Sequence, residues 1–378
     1  MRLQFCLSRA ALAGRKVAVT PFSRDVRPDY ESWLRCLARK GTPERVHFIE
    51  LFLDPEIKDA LCARFDLDGH LDRGKPEFSW QREIAIQRFL GYDYVGCSVD
   101  PFPMPLKWHN VADPSGLARA GGRSFLDSDR GPITNFAEFE AYPWPDPAAL
   151  TTTALEWYDR NLPDDMCIVG IGGYAHFAEY LSWLMGYQTL CFALYDQRDL
   201  VAALATRILE LNRAMTRRFL QFPQLKVLWG SDDMGFRTGT LISPADLREF
   251  VLPGHAEVAA AAHAAGRPYL LHCCGQIEAI MPDLIEIVHI DGKHSFEDTI
   301  GDVTTFKRQY GGRLAVLGGI DLDFLCRVDE SAIRNRVRKT LDACHPGGGY
   351  CLGSGNSFAN FVPLDNYLAM LDEGRRYG

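Results

Sequence analysis

Pro268-Tyr269-Leu270-Leu271-His272-Cys273-Cys274-Gly275 is an apolar run that ends on a histidine, two cysteines and a glycine. A short apolar run halted by glycine reads as a buried strand. Successive strand side chains alternate between faces, so His272 and Cys274 point one way and Cys273 the other. If the strand belongs to a barrel, the pair faces its mouth. Imidazole and thiolate are the side chains that zinc prefers, and a third ligand from a neighbouring strand would leave one position open for substrate. The bland alternative is a buried histidine bonded to backbone beside two core thiols.

The flanking sequence favours the barrel. From Arg45 onward a pattern recurs: a short apolar or β-branched run, a polar or glycine-rich break, then a longer amphipathic segment. The runs are Val46–Phe52, Tyr92–Ser98, Cys167–Ile171, Leu225–Trp229, Pro268–His272, Val288–Asp291, Leu314–Leu317 and Gly349–Leu352. Helical spacing lies between them, over Pro55–Phe65, Trp80–Leu90, Phe177–Met185, Leu200–Phe222, Pro244–Ala264, Ile277–Ile287, Ile300–Tyr310, Ser331–Ala343 and Pro363–Gly374. Ser243 before Pro244 is a capping hydroxyl followed by proline at the first helical position. Strands alternating with helices give an α/β fold, a single (β/α)8 TIM barrel over 45–378. No Gly-x-Gly-x-x-Gly follows the first strand, which argues against a dinucleotide fold. Residues 1–44 read as an N-terminal helical cap, with Trp33, Leu34 and Leu37 on one face and Gly41 as the stop. The stretch 101–147, rich in proline, glycine and aspartate, reads as a long loop at the mouth, a lid or substrate wall.

Composition narrows the partners. The 378 residues carry a formal charge of −8, and no cluster of Lys and Arg suits nucleic acid or an anionic membrane. No run of about twenty apolar residues spans a membrane, and Arg9, Arg15 and Lys16 interrupt the N-terminal apolar stretch, so no signal-peptide core forms. The 11 cysteines are odd in number and scattered, which fits reduced thiols in a cytoplasmic protein better than a secreted disulfide framework. Small molecules and other proteins, a second copy of the chain included, remain as partners.

Barrel enzymes act at the C-terminal ends of their strands. There the sequence places Glu50, Asp100, Tyr174 with His176, Asp232-Asp233, His272 with Cys274, His294 followed by Glu297-Asp298, Asp321 and Asn356. Of Asp232 and Asp233 only one points inward if the strand stays regular. Asp298 suits a cap for the helix beginning near Ile300 better than catalysis. Asp321 follows two glycines that permit close approach of a ligand or tight packing. Cys351 lies within a strand and reads as core before ligand, while Asn356 suits a turn and a ligand contact equally.

As a set, Trp229-Gly230-Ser231-Asp232-Asp233-Met234, Ile242-Ser243-Pro244, Glu249 to Pro253, His272 to Gly275, Ile290-Asp291-Gly292, Tyr310 to Arg313, Gly318 to Asp321, Gly347 to Ser357, and Pro363 with Asn366 resemble the uroporphyrinogen decarboxylase superfamily. The resemblance covers about Arg45 to Gly378 and implies its barrel. The superfamily contains haem-pathway decarboxylases and cobalamin-dependent methyltransferases. The decarboxylases carry an N-terminal Arg-Gln-Ala-Gly-Arg-Tyr signature for substrate carboxylates; here that region reads Arg24-Asp25-Val26-Arg27-Pro28-Asp29-Tyr30, which argues against uroporphyrinogen itself. Asp100 stands where the decarboxylases' catalytic aspartate would.

The methyltransferase branch uses His-x-Cys and a distant cysteine as zinc ligands. His272 and Cys274 match the first two; Asn356 stands where the third is expected, with Cys351 displaced by five residues. The resemblance therefore implies zinc on His272 and Cys274, with Asp233, Glu50, His294 or Cys351 completing the set. It implies transfer of a methyl group between a small methylated substrate, a methoxylated compound or thiol, and a corrinoid. No Asp-x-His-x-x-Gly cobalamin motif occurs in the chain, so the corrinoid would arrive on a separate corrinoid protein. Asp233, His294, Asp100 and Asp321 are the expected catalytic groups, and Glu50, Tyr174, His176 and Asn356 the expected substrate contacts. The alternative is a metal-independent decarboxylase of a smaller carboxylic acid, with Asp100 or Asp321 stabilising a developing cation.

Overall fold

The computed structural model describes residues 20–99, 104–126 and 129–377. Its strands, in chain order, are β1 (Tyr94–Cys97), the hairpin β2 (Trp108–Val111) and β3 (Arg123–Leu126), β4 (Cys167–Gly170), β5 (Leu225–Ser231), β6 (Tyr269–His272), β7 (Gly292–His294), β8 (Ala315–Leu317) and β9 (Tyr350–Cys351). All but the hairpin form one curled parallel sheet of seven strands in the order β1-β4-β5-β6-β7-β8-β9, with helices outside it. This is the α/β barrel architecture that the sequence pattern predicts.

Burial on both faces explains why the strands are so apolar. β4 and β6 are buried at every residue, as parallel strands covered by crossover helices must be. Alternation then sorts the side chains. Val227, Trp229 and Leu270 face the barrel interior with Phe48 and Tyr94, while Leu228, Tyr269, Leu271 and Cys273 face the outer helices. The helix Arg198–Phe219 answers with Leu200, Leu204, Ile208, Leu211 and Met215 buried, a stripe of period 3.6 in which each leucine contributes about 2 kcal/mol.

Three expectations are corrected. Val46–Phe52 forms no strand ladder. It joins the last strand through single parallel bridges, Phe48 to Leu352 and Leu53 to Phe358, and meets the first strand through side chains. The Tyr94 hydroxyl donates to the Glu50 carbonyl at 2.8 Å and accepts from the Glu50 amide at 3.1 Å, and His47 Nδ1 meets Asp93 Oδ2 at 2.7 Å. The sixth strand is Gly292–His294, not Val288–Asp291, because a π-type turn over Leu284–Val288 ends on a left-handed His289 at φ 61°. The helix expected over Pro244–Ala264 is two helices, Pro244–Phe250 and Leu252–Ala264; Pro253 cannot donate to the ladder and breaks it. Ser243 caps the first of them as expected, accepting from Asp246 N at 3.1 Å.

The helix Tyr30–Leu37 lies against the N-terminal ends of the strands, since Tyr30 N donates to Asp165 O before β4 and Gly349 N donates to Cys36 O before β9. The stretch 101–147 is more ordered than a bare loop: among its described residues it carries the β2–β3 hairpin and the helix Phe136–Ala141. No described helix is long and apolar enough to cross a membrane.

Candidate functional site

Register builds the site. Ser231 pairs with His272 and His272 with His294 across β5, β6 and β7, so three neighbouring strands end in one layer at the barrel mouth. Two residues further along each strand, Asp233 and Cys274 point inward beside His272. The ligand atoms of Asp233, His272 and Cys274 all lie within 4.8 Å of one another. Cys274 Sγ is 3.2 Å from His272 Nε2, Asp233 Oδ1 is 3.6 Å from the same nitrogen, and Asp233 Oδ1 also accepts from Cys274 N at 2.9 Å.

Alternation sends the neighbours outward. Cys273 is buried among the helix-facing residues, its sulfur accepting from Met234 N at 3.4 Å. Asp232 accepts from Ala178 N and Glu179 N, both at 2.9 Å, and meets His255 Nε2 at 2.9 Å. It thereby anchors the N-terminus of the helix Phe177–Met185, leaving Asp233 as the inward aspartate of the pair.

His294 sits behind His272 rather than beside the sulfur. The two Nδ1 atoms are 2.7 Å apart, and Trp229 packs edge-on against the His294 ring. Burial is the main cause that pushes both imidazoles down to about 3, followed by His294 for His272 and by Lys293 for His294. Two neutral rings then share one proton between the Nδ1 atoms, and His272 Nε2 is left facing Cys274 and Asp233. Burial, then the Asp233 charge, pushes the Cys274 thiol well up.

Asn356 reaches the site: its Nδ2 donates to Cys274 Sγ at 3.1 Å. His176 stands at the start of the helix that Asp232 anchors, with Nδ1 2.5 Å from Glu179 Oε2 and its ring against Tyr180 and Trp183. Glu50 is buried within the barrel, and among the described residues its carboxyl bonds to the amide and hydroxyl of Ser354 alone; burial pushes it up to about 8.

Other expected residues lie elsewhere. The Tyr174 hydroxyl bonds to Thr216 at 2.8 Å with its ring on Phe219, so it is core and not substrate wall. Asp321 is a helix cap, accepting from Phe324 N and Asp298 N, both at 2.9 Å. Asp298 pairs with Arg336 instead, and Asp302 caps the helix Val303–Tyr310. Cys351 is fully buried beside Cys36 and Trp33 of the helix Tyr30–Leu37 and is not part of the Asp233, His272 and Cys274 cluster. Asp100 lies outside the described residues.

Sequence reading passed over two groups. Ser295, held left-handed at φ 87°, donates from Oγ to Cys274 Sγ at 3.4 Å. Lys293 points outward and its ammonium donates to the carbonyls of Cys273, His294 and Ser295, tying together the two turns that carry Cys274 and Ser295. The alternation that turned His294 inward already implied an outward Lys293; nothing in the sequence signalled the strained Ser295.

The family described as uroporphyrinogen decarboxylase (URO-D) matches residues 130–377. The chain belongs to this family. That span takes in β4 to β9 and every residue of the Asp233, His272 and Cys274 cluster. Among solved structures, the chain is similar to a Listeria monocytogenes protein described as a vitamin-B12 independent methionine synthase, at 14% identity and a TM-score of 0.43, over 93% of this chain and 98% of that one. No curated protein matches the chain. URO-D superfamily members are enzymes, decarboxylases and methyltransferases among them.

Proposed function

We propose that this URO-D family member is a zinc-dependent methyltransferase that moves a methyl group between a small methylated substrate, a methoxylated compound or thiol, and a corrinoid carried on a separate protein. The observation that carries the reading is the convergence of one carboxylate, one imidazole and one thiol within 4.8 Å at the barrel mouth. This donor set fits zinc, and His294, 2.7 Å from His272 Nδ1, takes the place that a carboxylate, backbone carbonyl or water ordinarily fills beside a zinc-bound histidine. Asp233, His272 and Cys274 would hold the metal, and bound zinc would supply a Lewis acid for a substrate oxygen or hold a substrate thiol as thiolate.

The remaining roles belong to the chain's own groups. His294 fixes the His272 tautomer so that Nε2 keeps its lone pair toward the cluster. Asn356 and Ser295 donate to the Cys274 sulfur and orient it. His176, braced by Glu179, holds a proton at the edge of the mouth, where it can reach a substrate atom that gains negative charge as its bond to methyl breaks.

Zinc and cobalt per protomer, measured by elemental analysis on protein purified without chelator, test this. About one zinc, lost in a His272→Ala, Cys274→Ala double variant, is the expected outcome. Protein that takes up no zinc after anaerobic reconstitution would sink the reading and leave the metal-independent decarboxylase as the hypothesis to pursue, with Asp100 the next residue to change.

A further inference from the structure

Ser354 carries one hydroxyl proton and stands between two oxygens. Its Oγ is 2.6 Å from the Asn356 carbonyl and 2.6 Å from Glu50 Oε2. A carbonyl only accepts, so the Ser354 proton belongs on the Asn356 side. The contact to Glu50 then needs a second proton, and the carboxyl is the only other group present that can bring it. Were Glu50 ionised and the Ser354 proton turned toward it, Ser354 Oγ and the Asn356 carbonyl would face each other at 2.6 Å with no proton between them. Glu50 Oε1 meanwhile accepts from Ser354 N at 2.7 Å.

We infer that Glu50 is a neutral carboxylic acid whose proton goes to Ser354 Oγ, and that it thereby holds the turn after β9 with the Asn356 amide on the Cys274 sulfur. Glu50 is a positioning residue: it acts through Ser354 and Asn356 and touches none of Asp233, His272 and Cys274. The first link stands by itself; the second deepens the proposed zinc site and rests on it for its significance.

The surroundings agree. Among the described residues the titratable groups facing Glu50 are three phenols: Tyr94 from β1, Tyr92 just before it and Tyr367 from the C-terminal helix. Burial pushes each phenol well above its ordinary value, so they stay neutral. Among the described residues no cation acts on the carboxyl. Burial pushes it from 4.5 to about 8 against the opposing Ser354 bonds.

The sign of the pH effect follows. Between 4.5 and about 8 the folded chain holds a proton on Glu50 that the unfolded chain has lost, so the stability that Glu50 contributes is complete at acid pH and drains away across that window. Glutamine reproduces the neutral acid's pattern, its oxygen accepting from Ser354 N and its amide donating to Ser354 Oγ. The test is thermal unfolding of the full metal-free chain, wild type against Glu50→Gln, over pH. The advantage of Glu50→Gln should grow from about pH 4.5 to about 8 and then stay level; a difference that does not change with pH would overturn the neutral acid.

The link to the sulfur is read separately, as the alkylation rate of Cys274 resolved by peptide mass spectrometry. The ratio of wild type to Glu50→Gln should be near one at pH 7 and rise several-fold above about pH 8, and Ser354→Ala should be fast throughout. A constant ratio would overturn the link to Cys274. If Glu50→Gln does not fold, the wild type still reports: a protonated carboxyl C=O band in the infrared should disappear near pH 8, and its absence at neutral pH would overturn the inference. None of these readouts needs zinc or turnover, so failure of the zinc reading and failure of this one are distinct.

Discussion

The Nδ1 atoms of His272 and His294 face each other at 2.7 Å, so one imidazole donates and the other accepts. Burial keeps both neutral, each pushed down to about 3. With His272 Nε2 holding the proposed zinc, its Nδ1 would carry the proton and His294 Nδ1 would accept it. Replacing His294 by leucine removes the acceptor and frees the tautomer. Zinc affinity, measured by competition with a chromophoric chelator, should fall about 10- to 100-fold while Asp233, His272 and Cys274 stay in place. Unchanged affinity would reduce His294 to a space-filling ring.

His176 and Glu179 share a proton at the rim. Burial opposes charge on His176, but the Glu179 bond and then the Glu179, Asp232 and Asp233 charges outweigh it and raise its pKa above the ordinary 6.5. Burial raises Glu179 to about 7. A pair that binds its proton more tightly folded than unfolded gives stability at acid pH that is lost as pH rises through neutrality. Turnover that uses this proton should decline on the same alkaline side. His176→Gln should lower kcat by about 100-fold and flatten that limb, with a smaller change in KM; a full alkaline limb in the variant would assign it to another group.

The fold was legible because burial forces it. β4, β5 and β6 lie under helices on one side and core on the other, so their apolar runs stand out in the sequence. The alternation that separates Cys274 from Cys273 is a property of any strand, which is why the pairing of His272 with Cys274 could be read. What stayed hidden depends on contacts that carry no period. Val46–Phe52 looks like a strand because Val46, Phe48, Ile49 and Leu51 are buried, yet its ladder on one side is replaced by the Tyr94 hydroxyl. The β2–β3 hairpin is exposed at all four residues of β2, so no apolar alternation marked it. Asp321 and Asp233 look equally catalytic as letters; only the helix behind one and the imidazole before the other tell them apart.

That hairpin is strapped to the mouth by charge. Arg119 pairs with Glu56 at 2.9 Å and Asp54 at 3.1 Å, and Arg123 reaches Asp54 at 3.0 Å. Asn360, after β9, donates to Asp113 at 2.8 Å. Half-exposed pairs of this kind contribute about 1 kcal/mol or less each, but together they decide where the hairpin rests. Asp54→Asn should speed proteolysis within 104–126 several-fold and raise KM, with little loss of Tm. Equal proteolysis rates would show that packing, not charge, holds the strap.

Two adjacent aspartates should separate fold from function. Asp232 is fully buried, and Asp232→Ala strands His255 together with the Ala178 and Glu179 amides. Removing one member of such a buried pair costs about 3 kcal/mol or more. Asp233 is partly exposed and gives up its bond to the Cys274 amide, about 1 kcal/mol, and a longer contact to His272 Nε2 at 3.6 Å. Denaturant unfolding should therefore show a large loss for Asp232→Ala and a small one for Asp233→Ala, while zinc content shows the reverse order. If Asp233→Ala keeps its zinc, the third ligand is not this carboxylate, and the cluster at the mouth would need another donor beside His272 and Cys274.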